Sequence, residues 1–216
     1  MNNWIMNRLE AMGNWVFALA YVNVLWLLFT LAGAVVFTIT PATVAMMTCI
    51  RRWKEDPSYT IRFDEYRKLF KSEFREASRL NLFLLPVLIM LILNTGLLLH
   101  SQMEIPLILM VMYIISVVFS AVMFMHIFTV YALLNKRSLQ AVTASVVFGF
   151  SHPFHSMMSF LLIVLVFLLI FSTSGLAMFF GISLISYVLF RRNCMLYEKD
   201  LSDDEEPRPH TEAVSL

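Results

Sequence analysis

The chain alternates long apolar runs with a few short charged clusters. Residues 11–50 carry no charged side chain, about twice what one bilayer crossing needs, since roughly 20 apolar residues suffice. Thr40-Pro41-Ala42-Thr43 interrupts this run and Arg51-Arg52-Trp53 closes it. Val16–Ile39 reads as the first span, with residues 1–14 as a short interfacial lead-in. A proline disfavours helix at the residue before it, while threonine is a good N-cap and proline a good first helical residue. Thr40-Pro41 therefore predicts a stop followed by a start. The second helix, Pro41–Trp53, holds too few apolar residues to cross unaided. It reads as a return to the starting face; the alternative is the continuation of a kinked first span.

Residues 51–79 form the one substantial polar segment. From about Ile61 a helix is predicted, because Phe63, Tyr66, Phe70, Phe74 and Ala77 recur at three and four. The other faces hold Arg67, Lys68, Lys71, Glu73, Arg75 and Glu76. Such a basic amphipathic helix lies in the interface with its aromatic side down, or offers that side to a soluble partner. Leu80–Leu99 is a plain span with Pro86 inside it. Ile105–Leu134 is the next, ending at Asn135-Lys136-Arg137. Ser138–Phe190 then carries no Asp, Glu, Lys or Arg. It divides into a semi-buried helix at Leu139–Phe150, a step at Ser151-His152-Pro153, and spans near Phe154–Phe171 and Leu176–Phe190. Residues 1–195 thus form a helical membrane domain, and residues 196–216 a polar tail expected to be disordered. The fold class is all-α: a polytopic membrane protein with five full spans, a short Pro-initiated helix and a cytoplasmic amphipathic helix.

Composition supports this division. Of 216 residues, 59% are hydrophobic and only 14% charged, whereas about a quarter is usual for soluble domains. The net charge of +1 argues against a nucleic-acid partner. Nearly all Lys and Arg fall in residues 51–79, at Lys136-Arg137 and in the C-terminal part, while loops 100–104 and 172–175 hold none. The positive-inside rule places the basic segments and the C-terminus in the cytoplasm. The N-terminus follows them there if Pro41–Trp53 returns, and lies outside if it does not. Cys49 and Cys194 have no metal or haem spacing and, beside cytoplasmic clusters, are expected as reduced thiols. The apolar run after Arg8 is too long for a cleaved signal peptide, so it is expected to be retained.

Tyr21–Arg52 reads YVNVLWLLFTLAGAVVFTITPATVAMMTCIRR. With Asn23, Leu25-Trp26-Leu27-Leu28-Phe29, Pro41-Ala42-Thr43, Arg51-Arg52-Trp53 and the helix Phe63–Arg79, this resembles the YesL-like family of bacterial integral membrane proteins, domain of unknown function family 624. The resemblance covers about residues 10–195 and departs at Thr40, where that family more often has glycine. It implies a bacterial plasma-membrane protein, an association with carbohydrate uptake and degradation, and no catalytic residues.

Several residues remain as candidates. His152 and His155 flank Pro153 at a spacing that a metal or a proton relay could use. No acid in that run completes such a site, so helix-entry histidines are the plainer reading. His126 is an ionisable residue inside a span and a functional candidate on that ground. Asn23, Asn81 and Asn94 suit interhelical hydrogen bonds. A helix start at Thr40, Pro41 and Thr43 would present free N–H groups at membrane depth, as broken transporter helices do. The stripe Phe63, Tyr66, Phe70 and Phe74 is the candidate docking face for another membrane protein or transporter complex. No nucleophile–base pair, Walker motif, HExxH or dinucleotide loop is present, so no enzyme, cofactor or metal is expected. Two functions follow as expectations: a non-enzymatic accessory or regulatory component of a membrane system, or a small secondary transporter using the break at Thr40–Thr43. An intramembrane enzyme built on His152 and His155 is the remote third.

Overall fold

The computed structural model describes residues 2–33, 35–56, 58–100, 106–134, 138–172 and 176–205. Among them the chain forms seven helices and no strand. They are α1 (Asn2–Ala32), α2 (Val35–Glu55), α3 (Phe63–His100), α4 (Leu107–Leu134), α5 (Ser138–Ser151), α6 (Pro153–Ser172) and α7 (Leu176–Glu205). Five of these, α1, α3, α4, α6 and α7, are long and apolar enough to cross a membrane. The chain is an all-α polytopic membrane protein. The expected loops at 100–104 and 172–175, and Lys136-Arg137, lie largely or wholly outside the described residues, as does everything beyond Glu205.

The bundle buries polar side chains among its apolar ones and turns mainly apolar side chains outward. Phe154, Met157, Leu161, Leu165 and Leu168 of α6 are exposed, while Ser156 and Ser159 are buried. Lipid solvates the first group as well as a core would, so packing and hydrogen bonds hold the helices together. The centre is α2, whose residues Ala42–Met47, Cys49 and Ile50 are all buried. Around it pack Val22, Leu25 and Trp26 of α1, Tyr66 and Leu69 of α3, Ala132 of α4 and Phe190 of α7.

The first correction concerns the chain reversal. It occurs at Gly33, not at Thr40-Pro41, and Pro41 lies inside α2. From there α2 runs antiparallel to α1: Trp26 Nε1 donates to Thr43 Oγ1 (3.0 Å), and Thr38 Oγ1 donates to the Thr30 carbonyl (2.7 Å). A Cβ at Gly33 would collide with the Thr38 side chain, so the turn needs a glycine there. Pro41 offers no N–H to the carbonyl four residues back, and its ring crowds that turn. That carbonyl is Phe37's, and the neighbouring helix holds the residues on either side of it. Asn81 of α3 donates from Nδ2 to the Val36 carbonyl (2.7 Å) and accepts at Oδ1 from Thr40 Oγ1 (2.9 Å). Thr43 Oγ1 in turn caps the Ile39 carbonyl (2.7 Å). Thr40 therefore sits within a helix, and no helix N-terminus opens there.

The second correction concerns residues 63–100. The amphipathic segment and the span are one helix of 38 residues, about 57 Å at 1.5 Å per residue. Nothing between Phe63 and Arg79 breaks a helix, and Asp64 and Glu65 suit its N-terminus. The charge boundary at Arg79-Leu80 is a change of surroundings, not of backbone. A third difference is α7, which continues to Glu205, into the stretch expected to be disordered. Helix-end contacts hold this side of the bundle: Arg51 reaches the Ala132 carbonyl near the end of α4, and Tyr131 Oη donates to Glu73 (2.8 Å). A cation at a helix C-terminus meets carbonyls without intrahelical partners.

Candidate functional site

A buried polar junction joins α4, α5, α6 and α7. Pro153 opens α6 as first-turn prolines do, and the Ser156 N–H closes that turn on the His152 carbonyl (3.0 Å). Helical spacing then puts His152, His155, Ser156 and Ser159 toward the bundle. His126 and Thr129, one turn apart on α4, are both fully buried, as is Asn193 on α7.

The hydrogen bonds fix how these groups can act. His126 Nε2 lies 3.0 Å from Ser156 Oγ, and Ser156 donates its single hydroxyl proton to the Gly149 carbonyl (2.8 Å). The network therefore assigns the imidazole proton to Nε2. His155 Nε2 lies 3.1 Å from Asn193 Oδ1, which can only accept. That leaves the Asn193 amide N–H groups to face His126, whose Nδ1 is the acceptor, in a contact looser than the other bonds of the junction. Arg192 Nε donates to Ser159 Oγ (3.1 Å) at the half-exposed edge. Phe148 of α5 packs among the imidazoles, its ring centroid 5.4, 5.7 and 6.3 Å from those of His126, His152 and His155. The His126 and His155 rings are 6.3 Å apart. Gly149 permits the close approach: a Cβ there would collide with Val122 and lie 3.1 Å from His126 Cδ2.

His126, His152 and His155 are thus brought to one place, as single-residue reasoning could not show. Asn193, Ser156, Ser159 and Arg192 belong with them and were not singled out in the sequence. Arg191-Arg192 reads there as the end of a span, which hides the asparagine behind it. The serines do share helical spacing with His152 and His155, a signal that was available. Among the described residues no three His, Cys, Asp or Glu side chains converge as a metal-ligand set.

The remaining candidates lie elsewhere. Asn23 Oδ1 accepts from the Ser183 N–H (3.1 Å), tying α1 to α7. Thr40 and Thr43 are engaged with Asn81 and Trp26 as described, and they border a cavity of about 650 Å³ whose walls are mostly apolar. The stripe Phe63, Tyr66, Phe70 and Phe74 does not form an open docking face. Phe29 of α1 stacks against three of its rings, with centroids 5.6, 5.2 and 5.0 Å from Phe63, Tyr66 and Phe70. Tyr66 is fully buried and its hydroxyl donates to the Ala42 carbonyl (2.7 Å). The stripe is consumed because the protein's own hairpin α1–α2 supplies the apolar partner; only the edges of Phe63 and Phe74 stay exposed. Cys49 and Cys194 are both free thiols. Cys194 lies 2.7 Å from Lys54 Nζ and 3.0 Å from Glu198 Oε1, and Lys54 pairs with Glu198 at 3.1 Å.

Comparison with known proteins places the chain among relatives of unknown function. A family model described as "Protein of unknown function, DUF624" matches residues 19–95. Uncharacterized protein YesL of Bacillus subtilis (strain 168) is 31% identical over 185 residues, spanning 86% of this chain and 87% of that protein. Uncharacterized protein YteU of the same organism is 25% identical over 186 residues, spanning 86% and 83%. Uncharacterized protein YesV is 39% identical over 74 residues, spanning 32% and 36%. No solved structure matches the chain.

Proposed function

Because the chain belongs to the DUF624 family, we propose that it is a non-enzymatic accessory or regulatory component of a membrane system in the bacterial plasma membrane, carbohydrate uptake being that system. The observation that carries this reading is the buried polar junction around His126 and Asn193. Burying polar groups inside a bundle is costly unless each finds a well-formed hydrogen bond. The junction also touches four helices, so a change in its hydrogen bonds is felt across half the molecule. Ionisable groups at membrane depth are functional candidates for the same reason. The distribution of Lys and Arg supports placing residues 51–79 and the end of α7 in the cytoplasm. The antiparallel α1–α2 pair supports an N-terminus on that side too.

A small secondary transporter is the second reading, and the cavity beside Thr40 and Thr43 favours it. Its volume of about 650 Å³ lies within the range of small-molecule pockets, roughly 300–1,000 Å³. Its apolar walls suit an apolar or amphipathic solute, and the neighbouring polar groups are already bonded within the bundle.

The test is carbohydrate uptake by a strain lacking the protein, complemented with wild type or with Asn193→Leu. The expected result is restored uptake with wild type and deletion-level uptake with the variant, at equal membrane abundance and equal thermal stability. If deletion leaves uptake unchanged, the accessory reading fails. If Asn193→Leu complements fully, the junction is packing and not the working part.

A further inference from the structure

With its aromatic stripe turned inward, the first half of α3 shows the outside a different surface. Arg67, Lys68, Lys71, Arg75 and Arg79 are all exposed. At about 100° per residue they fall within an arc of about 120°, opposite the face that buries Tyr66, Leu69 and Ala77. Arg79 pairs with Glu76 (2.7 Å). Among the described residues Arg67, Lys68, Lys71 and Arg75 have no carboxylate within ion-pair distance, and the one exposed acid near them is Asp64. Phe63 and Phe74, 41% and 39% exposed, border the ridge.

We propose that this ridge, Arg67, Lys68, Lys71 and Arg75 edged by Phe63 and Phe74, binds the anionic headgroups of the bilayer that holds the protein. The position of the ridge chooses that occupant over an acidic protein. The ridge continues without a break into the span, and Arg75 lies about 7.5 Å along the axis from Leu80, where the uncharged run begins. That is close to the thickness of a headgroup layer, about 5–7 Å on each side. Basic side chains with exposed phenylalanines at their border are the pattern that binds anionic interfaces.

The experiment is lipid retention. The full chain is reconstituted in nanodiscs of phosphatidylcholine mixed with phosphatidylglycerol, extracted in mild detergent, and its bound lipids are counted by native mass spectrometry. Wild type should retain phosphatidylglycerol several-fold above its share in the bilayer, each basic residue contributing up to about fivefold. High salt should lower this enrichment. Arg67→Gln/Lys71→Gln/Arg75→Gln should bring it to the bulk ratio, whereas Arg67→Lys/Arg75→Lys, which keeps the charge, should retain it. Wild type at the bulk ratio, or a triple variant as enriched as wild type, overturns the proposal. Ridge-dependent binding of an acidic protein without lipid enrichment would give this face to that partner instead.

Discussion

Removing Asn81 should loosen α2 from α3 around Pro41. In Asn81→Leu the Val36 carbonyl and the Thr40 hydroxyl both lose their bond to α3. Two interhelical bonds at about 0.6 kcal/mol each give about 1.2 kcal/mol. Val36 remains the helical acceptor for the N–H four residues on, that of Thr40, and the Thr40 hydroxyl can turn to the same carbonyl, so no unpaired group is left behind. The expected cost is therefore about 1 kcal/mol. Pro41→Ala restores an N–H to the Phe37 carbonyl and leaves the bonds of Asn81 to Val36 and Thr40 in place, so the same substitution should cost about as much in that background. Pro41→Ala alone should stabilise, since proline in a helix interior costs about 3 kcal/mol. The assay is equilibrium unfolding in mixed SDS–detergent micelles, followed by circular dichroism, for the four proteins of the cycle. Independent sites add to within about 0.3–0.5 kcal/mol. A coupling above that limit would refute the independence of the Asn81 bonds from the proline.

Other expectations test separate parts of the structure. Gly149→Ala forces a methyl group into Val122 and against His126. Overpacking of this kind costs about 1–3 kcal/mol, so the unfolding midpoint should fall, and an unchanged midpoint would mean the junction is loosely packed. Phe70→Asp should abolish folding into detergent-stable protein, while Phe74→Asp, at the exposed edge, should leave size-exclusion behaviour unchanged. Equal effects would contradict the inward orientation of the stripe. Asp56 lies in the loop before α3, and hydrogen bonds from the Ser58 hydroxyl and N–H hold its carboxyl below the ordinary aspartate range. A depressed folded-state value stabilises above the unfolded pKa and is lost as pH falls through the folded one. Ser58→Ala should therefore raise the Asp56 pKa toward the ordinary aspartate value by NMR titration and lower stability at neutral pH, the difference from wild type vanishing as pH falls below the folded-state pKa.

Much of the fold was legible because charge is costly in lipid. The uncharged runs placed α4, α6 and the span half of α3 within a few residues, and Leu139–Phe150 anticipated α5. The misplaced features share one cause. Thr40-Pro41 obeys every local rule for a helix boundary, yet α2 continues through it, tied at Val36 and Thr40 to Asn81, some forty residues away. The actual reversal rests on Gly33, a single residue with no flanking turn signal. At Arg79-Leu80 a change in composition resembled a boundary although the backbone continues. The candidate site was legible as separate histidines. Their convergence depends on Asn193 and on the step at His152-Pro153, which only the packing of four helices brings together. The docking stripe was recognised as apolar correctly, but periodicity does not say whether such a face is covered by another protein or by Phe29 of its own chain.

The most direct test of the accessory reading is affinity purification of the tagged full-length protein from native membranes in several mild detergents. The account expects a transport permease or its ATPase subunit to accompany it in stoichiometric amount, at reduced level with Asn193→Leu. A protein that purifies alone in every detergent, and that moves solute by itself in liposomes, would contradict the account and establish the transporter instead.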